Sequence, residues 1–348
     1  MADRPKRQRY LIAGGAGFIG GNLIHHLLND GQEVDCVDNL ITGRSENIKT
    51  FQSRRNFRFI NADVADKSAY AAKVRRRYNF IVNLACPTGV PNIKKLGEQM
   101  LLASSAGAYN LLKIAARDRA RYIFASTAEV YGDPQVFPQS EAYAGNVDPV
   151  GPRSAYEEAK RFAEALTVYY GRNRGVDVRI VRIFNTYGEG MSPDDQRIIP
   201  QMLTRMIRNE PVIIFGDGMQ TRTFLHVDDL VAGIRYVLTQ GLPNEVYNIG
   251  AREQIAIRAL VEIAETVTGF RANARYCAHF IDDHRGRCPD TSKLEALGWT
   301  PRVGLEEGLM RSFRSLESAQ MNVGDATKPS AKPSPHRPRT RKLAAASL

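Results

Sequence analysis

Tyr156 and Lys160 stand four residues apart in "SAYEEAK", a spacing that puts both side chains on one face of a helix. A tyrosine takes a proton from an alcohol only as phenolate, so its pKa must fall from about 10 to about 7 for work near neutrality. A lysine ammonium beside it, together with a cationic cofactor ring, supplies that stabilisation. Thr127 ends the preceding stretch "RYIFAST" and can hydrogen-bond the same substrate oxygen. Glu129 follows two residues on, a lone carboxylate where the chain leaves the core. It is read as aimed at a substrate, the alternative being a solvated loop residue.

A second cluster calls for an oxidising cofactor. Gly14, Gly17 and Gly20 form G-x-x-G-x-x-G between a strand-like and a helix-like segment. Gly14 suits a tight turn, Gly17 lets the backbone approach a pyrophosphate, and Gly20 lets the helix pack on the sheet. The positive end of that helix then faces the phosphates. Asp38 closes the second strand, 18 residues after Gly20. A carboxylate there accepts from both ribose hydroxyls and repels a 2′-phosphate, favouring NAD over NADP. The same site takes in Phe18, Ile19, Asn39, Val64 and Leu84. Asp63 is read as capping the adenine side or as a simple turn residue.

Strands and helices must alternate to hold these groups. "RYLIAGGAGFIGGNLIHHLLNDG" reads as strand, turn and helix, and "EVDCVDN", "NFRFINADVAD", 79–86, 120–127 and 176–185 read as further strands. Helices are expected over 98–117 and 154–174. This rhythm predicts an α/β fold, a Rossmann-type doubly wound parallel sheet with a smaller C-terminal substrate-binding α/β lobe. The expected divisions are a basic arm over 1–8 and an NAD-binding domain over 9–185, completed by segments returning near 212–250. The lobe occupies mainly 186–317 and a disordered basic tail 318–348, where the apolar period is lost. Helices are also expected over 198–209 and 226–238.

Bulk properties narrow the function. No run among the 348 residues approaches the ~18 apolar positions of a membrane span. The basic start lacks the apolar core of a secretion signal, so a cytoplasmic protein is expected. Cys36, Cys86, Cys277 and Cys288 are scattered, which suits neither a metal site nor a disulfide framework. The net charge is +11, and residues 1–10 and 324–348 carry eight of those charges. The remainder is close to neutral and implies no nucleic-acid groove. His25 and His26 on the first helix read as surface or packing residues, Arg75–Arg77 as a solvated helix end, and Trp299 as a packed anchor.

The stretches "AGGAGFIGGNL", "NLACP", "STAEVYGDPQVFPQSE", "GNVDPVGPRSAYEEAKR", "RIFNTYG", "QTRTF" and "DDHRGRCPD" carry a resemblance over about residues 8–316. The chain resembles the extended short-chain dehydrogenases/reductases of the nucleotide-sugar branch, and within them the UDP-glucuronate decarboxylase (UDP-xylose synthase) family. The resemblance implies Tyr156 as base, Lys160 as its partner and Thr127 as polarising hydroxyl. It implies that Glu129 and Arg287 handle the carboxylated ring and the proton returned to it, and that Asn185, Arg197 and Arg222 bind the UDP ribose and phosphates. It also implies a homodimer through helices near 98–117 and 154–174. Dehydratases of the branch carry Asp then Glu after the threonine; here Ala128 precedes Glu129. The chain departs from the family pattern at Gly89, Ala103, Ser104, Ala128 and Gly188–Met191, near the expected sugar pocket. A nucleotide-uronate 4-epimerase and a non-catalytic NAD-binding regulator are the competing readings.

Overall fold

The computed structural model describes residues 7–71, 73–278 and 286–326. Strand β1 (Arg9–Ala13) leads through the glycine turn into α1 (Phe18–Asn29). β2 (Glu33–Asp38), α2 (Glu46–Lys49), β3 (Phe57–Asn61), α3 (Lys67–Ala71) and β4 (Phe80–Asn83) follow. α4 (Val90–Leu102) and α5 (Ala108–Asp118) precede β5 (Arg121–Thr127), and α6 (Ser154–Arg174) precedes β6 (Val178–Ile183). The chain then forms β7 (Thr186–Tyr187), α7 (Ile198–Ile207), β8 (Val212–Phe215), β9 (Thr221–Arg222) and β10 (Leu225–His226). α8 (Val227–Gln240), β11 (Glu245–Ile249), β12 (Ile255–Ala256), α9 (Ile257–Thr268), β13 (Ala274–Cys277), α10 (Ser292–Glu295) and α11 (Leu305–Ala326) complete it.

Seven strands form one parallel sheet in the order β11-β6-β5-β4-β1-β2-β3. Most of its strand residues are buried because helices cover both faces. Alternate residues point to opposite faces. Ile12, Cys36, Val82 and Ile123 pack with Leu23 and Ile24 of α1 and with Leu230 and Ile234 of α8. Leu11, Val37, Ile81 and Phe124 pack with Leu111 and Leu112 of α5 and with Ala163 of α6. A third core joins α7, β8, α9 and α11 through Met202, Ile214, Leu260 and Phe313. Trp299 is buried, and its Nε1 donates to the Asp229 carbonyl at 3.0 Å.

Three expectations need correcting. The helix predicted over 98–117 begins at Val90 and is interrupted by a π-helical turn, Ala103–Gly107. Small residues permit that turn; a Cβ on Gly107 would stand 2.8 Å from the Val64 side chain. Of the segments near 212–250, α8 and β11 return to the sheet, whereas β8 pairs with β13 outside it. Val212 and Ile214 bury one face of β8 in the third core, which draws it into the lobe. Finally, α11 continues to Ala326, beyond the expected end of ordered chain at 318. Its buried Leu309, Phe313 and Leu316 hold the helix on the lobe. Residues 1–6 and 327–348 lie outside the described residues, as do Asp282, Asp283, His284 and Arg285 of "DDHRGRCPD". Among the described residues no helix is long and apolar enough to cross a membrane.

Candidate active site

The strand order reverses between β1 and β4, and a parallel sheet opens a crevice at such a point, beyond its strand C-termini. One cleft of about 920 Å³ lies there. Every residue assigned from the sequence lines it, from Gly14 at one end to Arg287 at the other.

At the first end, Gly14 has φ +75°, and a Cβ there would come within 2.7 Å of the Leu84 carbonyl carbon. A Cβ on Gly20 would sit 2.3 Å from the Gly14 oxygen. Gly20 therefore packs the helix onto the turn itself, where sheet contact was expected. A Cβ on Gly17 would meet only the Gly14 oxygen, at 3.2 Å, which leaves this backbone open to a ligand. No side chain caps α1, so its first N–H groups remain for an anion. These features fit a dinucleotide pyrophosphate. Asp38 accepts from the Ala16 N–H at 3.0 Å and from the Leu40 N–H at 2.8 Å. Burial raises its pKa, and these two hydrogen bonds only partly oppose the rise. Asp38 thus ties the glycine turn to the loop after β2 as well as facing the cleft. Asp63 accepts from Asn39 Nδ2 at 2.9 Å and from the Ala65 N–H at 2.8 Å, a turn residue on the cleft wall.

At the centre, Tyr156 and Thr127 line the cleft together. Burial foremost, then Cys86 and Glu129, push its phenol well above 10, against the opposing effects of Thr127 and Arg197. Lys160, expected to lower it, lines the same cleft. Lys160 Nζ donates to the Ala125 carbonyl at 2.8 Å and lies 4.9 Å from the Phe124 ring centroid. Burial lowers its pKa, with Cys86 and Glu164 opposing. The positive charge of a bound nicotinamide would act the other way and favour the phenolate.

At the second end, Glu129 is a buttressed group. It sits in the 3₁₀ turn Ala128–Tyr131 that follows β5, with its N–H donated to Thr127 Oγ1 at 3.3 Å. Arg153 Nη2 donates to Glu129 Oε2 at 2.5 Å, and Arg287 Nη2 reaches the same oxygen at 3.2 Å. Arg287 is 5% exposed and also donates to the Gly132 carbonyl at 2.6 Å. Asn185 lies exposed just beyond β6. Arg197 pairs with Asp195 at 2.6 Å and lies over the Phe18 ring, and Arg222 Nη1 donates to the Thr221 carbonyl.

Arg153 received no role from the sequence. Its signal was present: a cation three residues before Tyr156 falls on the same helical face. Two departures from the family pattern have structural causes. Gly89 has φ +98°, which disfavours a serine there, and Ser104 faces Cys86, with Oγ 4.0 Å from Sγ. The four cysteines are free, and among the described residues no cluster of His, Cys, Asp and Glu is arranged for a metal.

Residues 10–250 match the family model described as "NAD dependent epimerase/dehydratase family". UDP-glucuronic acid decarboxylase 1 of Danio rerio is 38% identical, over 88% of this chain and 72% of the relative. UDP-glucuronic acid decarboxylase 3 of Arabidopsis thaliana is 39% identical, over 86% of each chain. Among solved structures, UDP-glucose 4-epimerase of Thermotoga maritima superposes with a TM-score of 0.82 at 29% identity, covering 90% of this chain and 99% of its own. UDP-glucuronic acid 4-epimerase of Bacillus cereus, solved with UDP-glucuronic acid and NAD, superposes with a TM-score of 0.80 at 27% identity, covering 89% and 99%. With a glycine turn, a strand-end aspartate and a Tyr–Lys pair lining one cleft, this chain belongs to the NAD dependent epimerase/dehydratase family.

Proposed function

We propose that the chain is an NAD-dependent nucleotide-sugar decarboxylase that converts UDP-glucuronate to UDP-xylose. One observation carries the choice of reaction: Glu129, with no acid before it, is held between two guanidinium groups beside Tyr156. Ala128 is buried and offers no proton to a leaving hydroxyl. Elimination of water then lacks an acid worth about 10²–10⁴-fold. The curated relatives with this overall sequence are named as decarboxylases.

The glycine turn and Asp38 would hold NAD, which when bound would supply the oxidising equivalent as a hydride acceptor and donor for C4 of the sugar. Tyr156 removes the C4 hydroxyl proton, and Thr127 holds the same oxygen. Oxidation at C4 makes the substrate a β-keto acid, and the C5–carboxyl bond breaks as its electrons move onto the carbonyl. CO₂ leaves, and C5 takes a proton. Lys160 keeps the nicotinamide ribose in place, while Asn185, Arg197 and Arg222 hold the UDP. Arg287, beside Glu129, is the cation assigned to the substrate carboxylate in this reading.

A homodimer is part of this reading. Leu101, Leu102 and Tyr109 on the α4–α5 segment and Phe162 and Tyr169 on α6 are large apolar side chains left exposed. They lie on the two helices that the resemblance places at the dimer interface.

The test is direct. Purified protein with UDP-glucuronate and NAD is expected to yield a UDP-pentose. Formation of UDP-galacturonate alone would favour the uronate 4-epimerase reading, and binding of NAD without turnover the non-catalytic regulator.

A further inference from the structure

Arg153 occupies the N-cap position of α6. Its guanidinium joins two carboxylates on different elements. Nη2 binds Glu129 at 2.5 Å, and Nε binds Glu157 Oε1 at 3.0 Å. Glu157 is 3% exposed and adjoins Tyr156, so this bridge fastens the first turn of α6 to the turn that follows β5. Burial alone would lower the Arg153 pKa, but Glu129 and Glu157 more than offset it. Charged and titratable groups that meet or face the Glu129 carboxylate include Arg153 from α6, Arg287 from the segment after β13, and Tyr156.

We propose that Arg153 is a positioning residue for the decarboxylation, holding Glu129 as an oriented anion beside the C5 position of the sugar. This inference rests on the function proposed above. An ion-paired carboxylate accepts hydrogen bonds and gives up no proton. Glu129 therefore orders the solvent-derived proton donor instead of protonating C5 itself. The geometry also divides the cations. Arg153 is committed to two protein carboxylates at close range. Arg287 approaches Glu129 at the longer 3.2 Å and is the guanidinium that can turn to a substrate carboxylate. Arg153 thus acts on the turnover step and leaves substrate affinity to Arg287 and the UDP contacts.

The test compares wild type, Arg153→Gln, Arg153→Lys, Glu129→Gln and the Arg153→Gln/Glu129→Gln double variant as full-length protein with UDP-glucuronate and NAD. Because Arg153→Gln removes a guanidinium that pairs with the buried Glu157, Arg153→Gln/Glu157→Gln is included to keep the fold. In Arg153→Gln and in that fold-keeping variant, kcat is expected to fall about 10²-fold, with KM changing less than about threefold. The pH below which kcat declines should move upward, since losing a cation makes Glu129 easier to protonate. Arg153→Lys should restore the position of that limb but only part of kcat. The double variant should be no slower than Glu129→Gln alone. Fully additive losses, or an unmoved acid limb in both Arg153→Gln backgrounds, would overturn the inference while wild-type turnover leaves the proposed function standing. Absence of CO₂ release by wild type would overturn both.

Discussion

Lys160 Nζ donates to the Ala125 carbonyl at 2.8 Å, on the strand β5 that ends in Thr127. Lys160 and Tyr156 line the same cleft. Burial and nearby anions dominate the phenol and raise it above its ordinary value of 10.0. Without NAD, Tyr156 should remain protonated throughout the neutral range. Binding of NAD should bring its titration down towards neutrality. Difference spectra of tyrosinate between wild type and Tyr156→Phe, with and without NAD, measure this. The same Tyr156→Phe variant should lose about 10³-fold or more in kcat while still binding NAD.

Asp38 is both a cofactor contact and a brace. Asp38→Ala strips the acceptor from the Ala16 and Leu40 N–H groups. Orphaning such donors costs about 1–3 kcal/mol. Thermal unfolding should therefore show a lower Tm even without NAD, and the stabilisation by added NAD should weaken as well. A variant that lost only the NAD effect would show that the brace is unimportant.

A charged knot ties the lobe to the sheet. Arg311 of α11 binds Glu189 at 2.7 Å and Asp228 at 2.6 Å, and His226 Nε2 lies 3.0 Å from Glu189. Burial alone would raise Glu189, but His226, the Glu189 backbone and Arg311 together hold it down from 4.5 to about 2. The unfolded chain therefore binds a proton in this interval that the folded chain refuses. The contribution of Glu189 to stability is present above pH 4.5 and is lost as pH falls towards 2. Between those values Tm should drop more steeply in wild type than in Glu189→Gln.

The exposed Phe162 and Tyr169 of α6 give the proposed dimer a simple test. Phe162→Glu/Tyr169→Glu should sediment as a monomer where wild type sediments as a dimer. Equal sedimentation of the two would remove these helices from the interface.

Much of this was legible in the sequence because it depends on local spacing. The glycine turn and the Tyr156–Lys160 pair are short-range patterns, and α6 spans the residues that the pattern predicted. What the sequence concealed depends on contacts between distant segments. The Arg153–Glu129–Arg287 cluster joins residues 24 and 158 positions apart, and no period announces it. The same holds for Asp38, whose bond to Ala16 spans 22 positions. The π turn at Ala103–Gly107 depends on close packing against Val64, which no helical pattern encodes. The hydrogen bond of Lys160 to the Ala125 carbonyl spans 35 positions and was likewise hidden.

The central claim is that this cleft removes a carboxyl group from a sugar acid without net consumption of NAD. UDP-glucuronate labelled at the C6 carboxyl carbon, supplied with a catalytic amount of NAD, measures it most directly. The account predicts one labelled CO₂ for each UDP-pentose formed and no lasting build-up of NADH. Label retained in a nucleotide-bound uronic acid after many turnovers would contradict it.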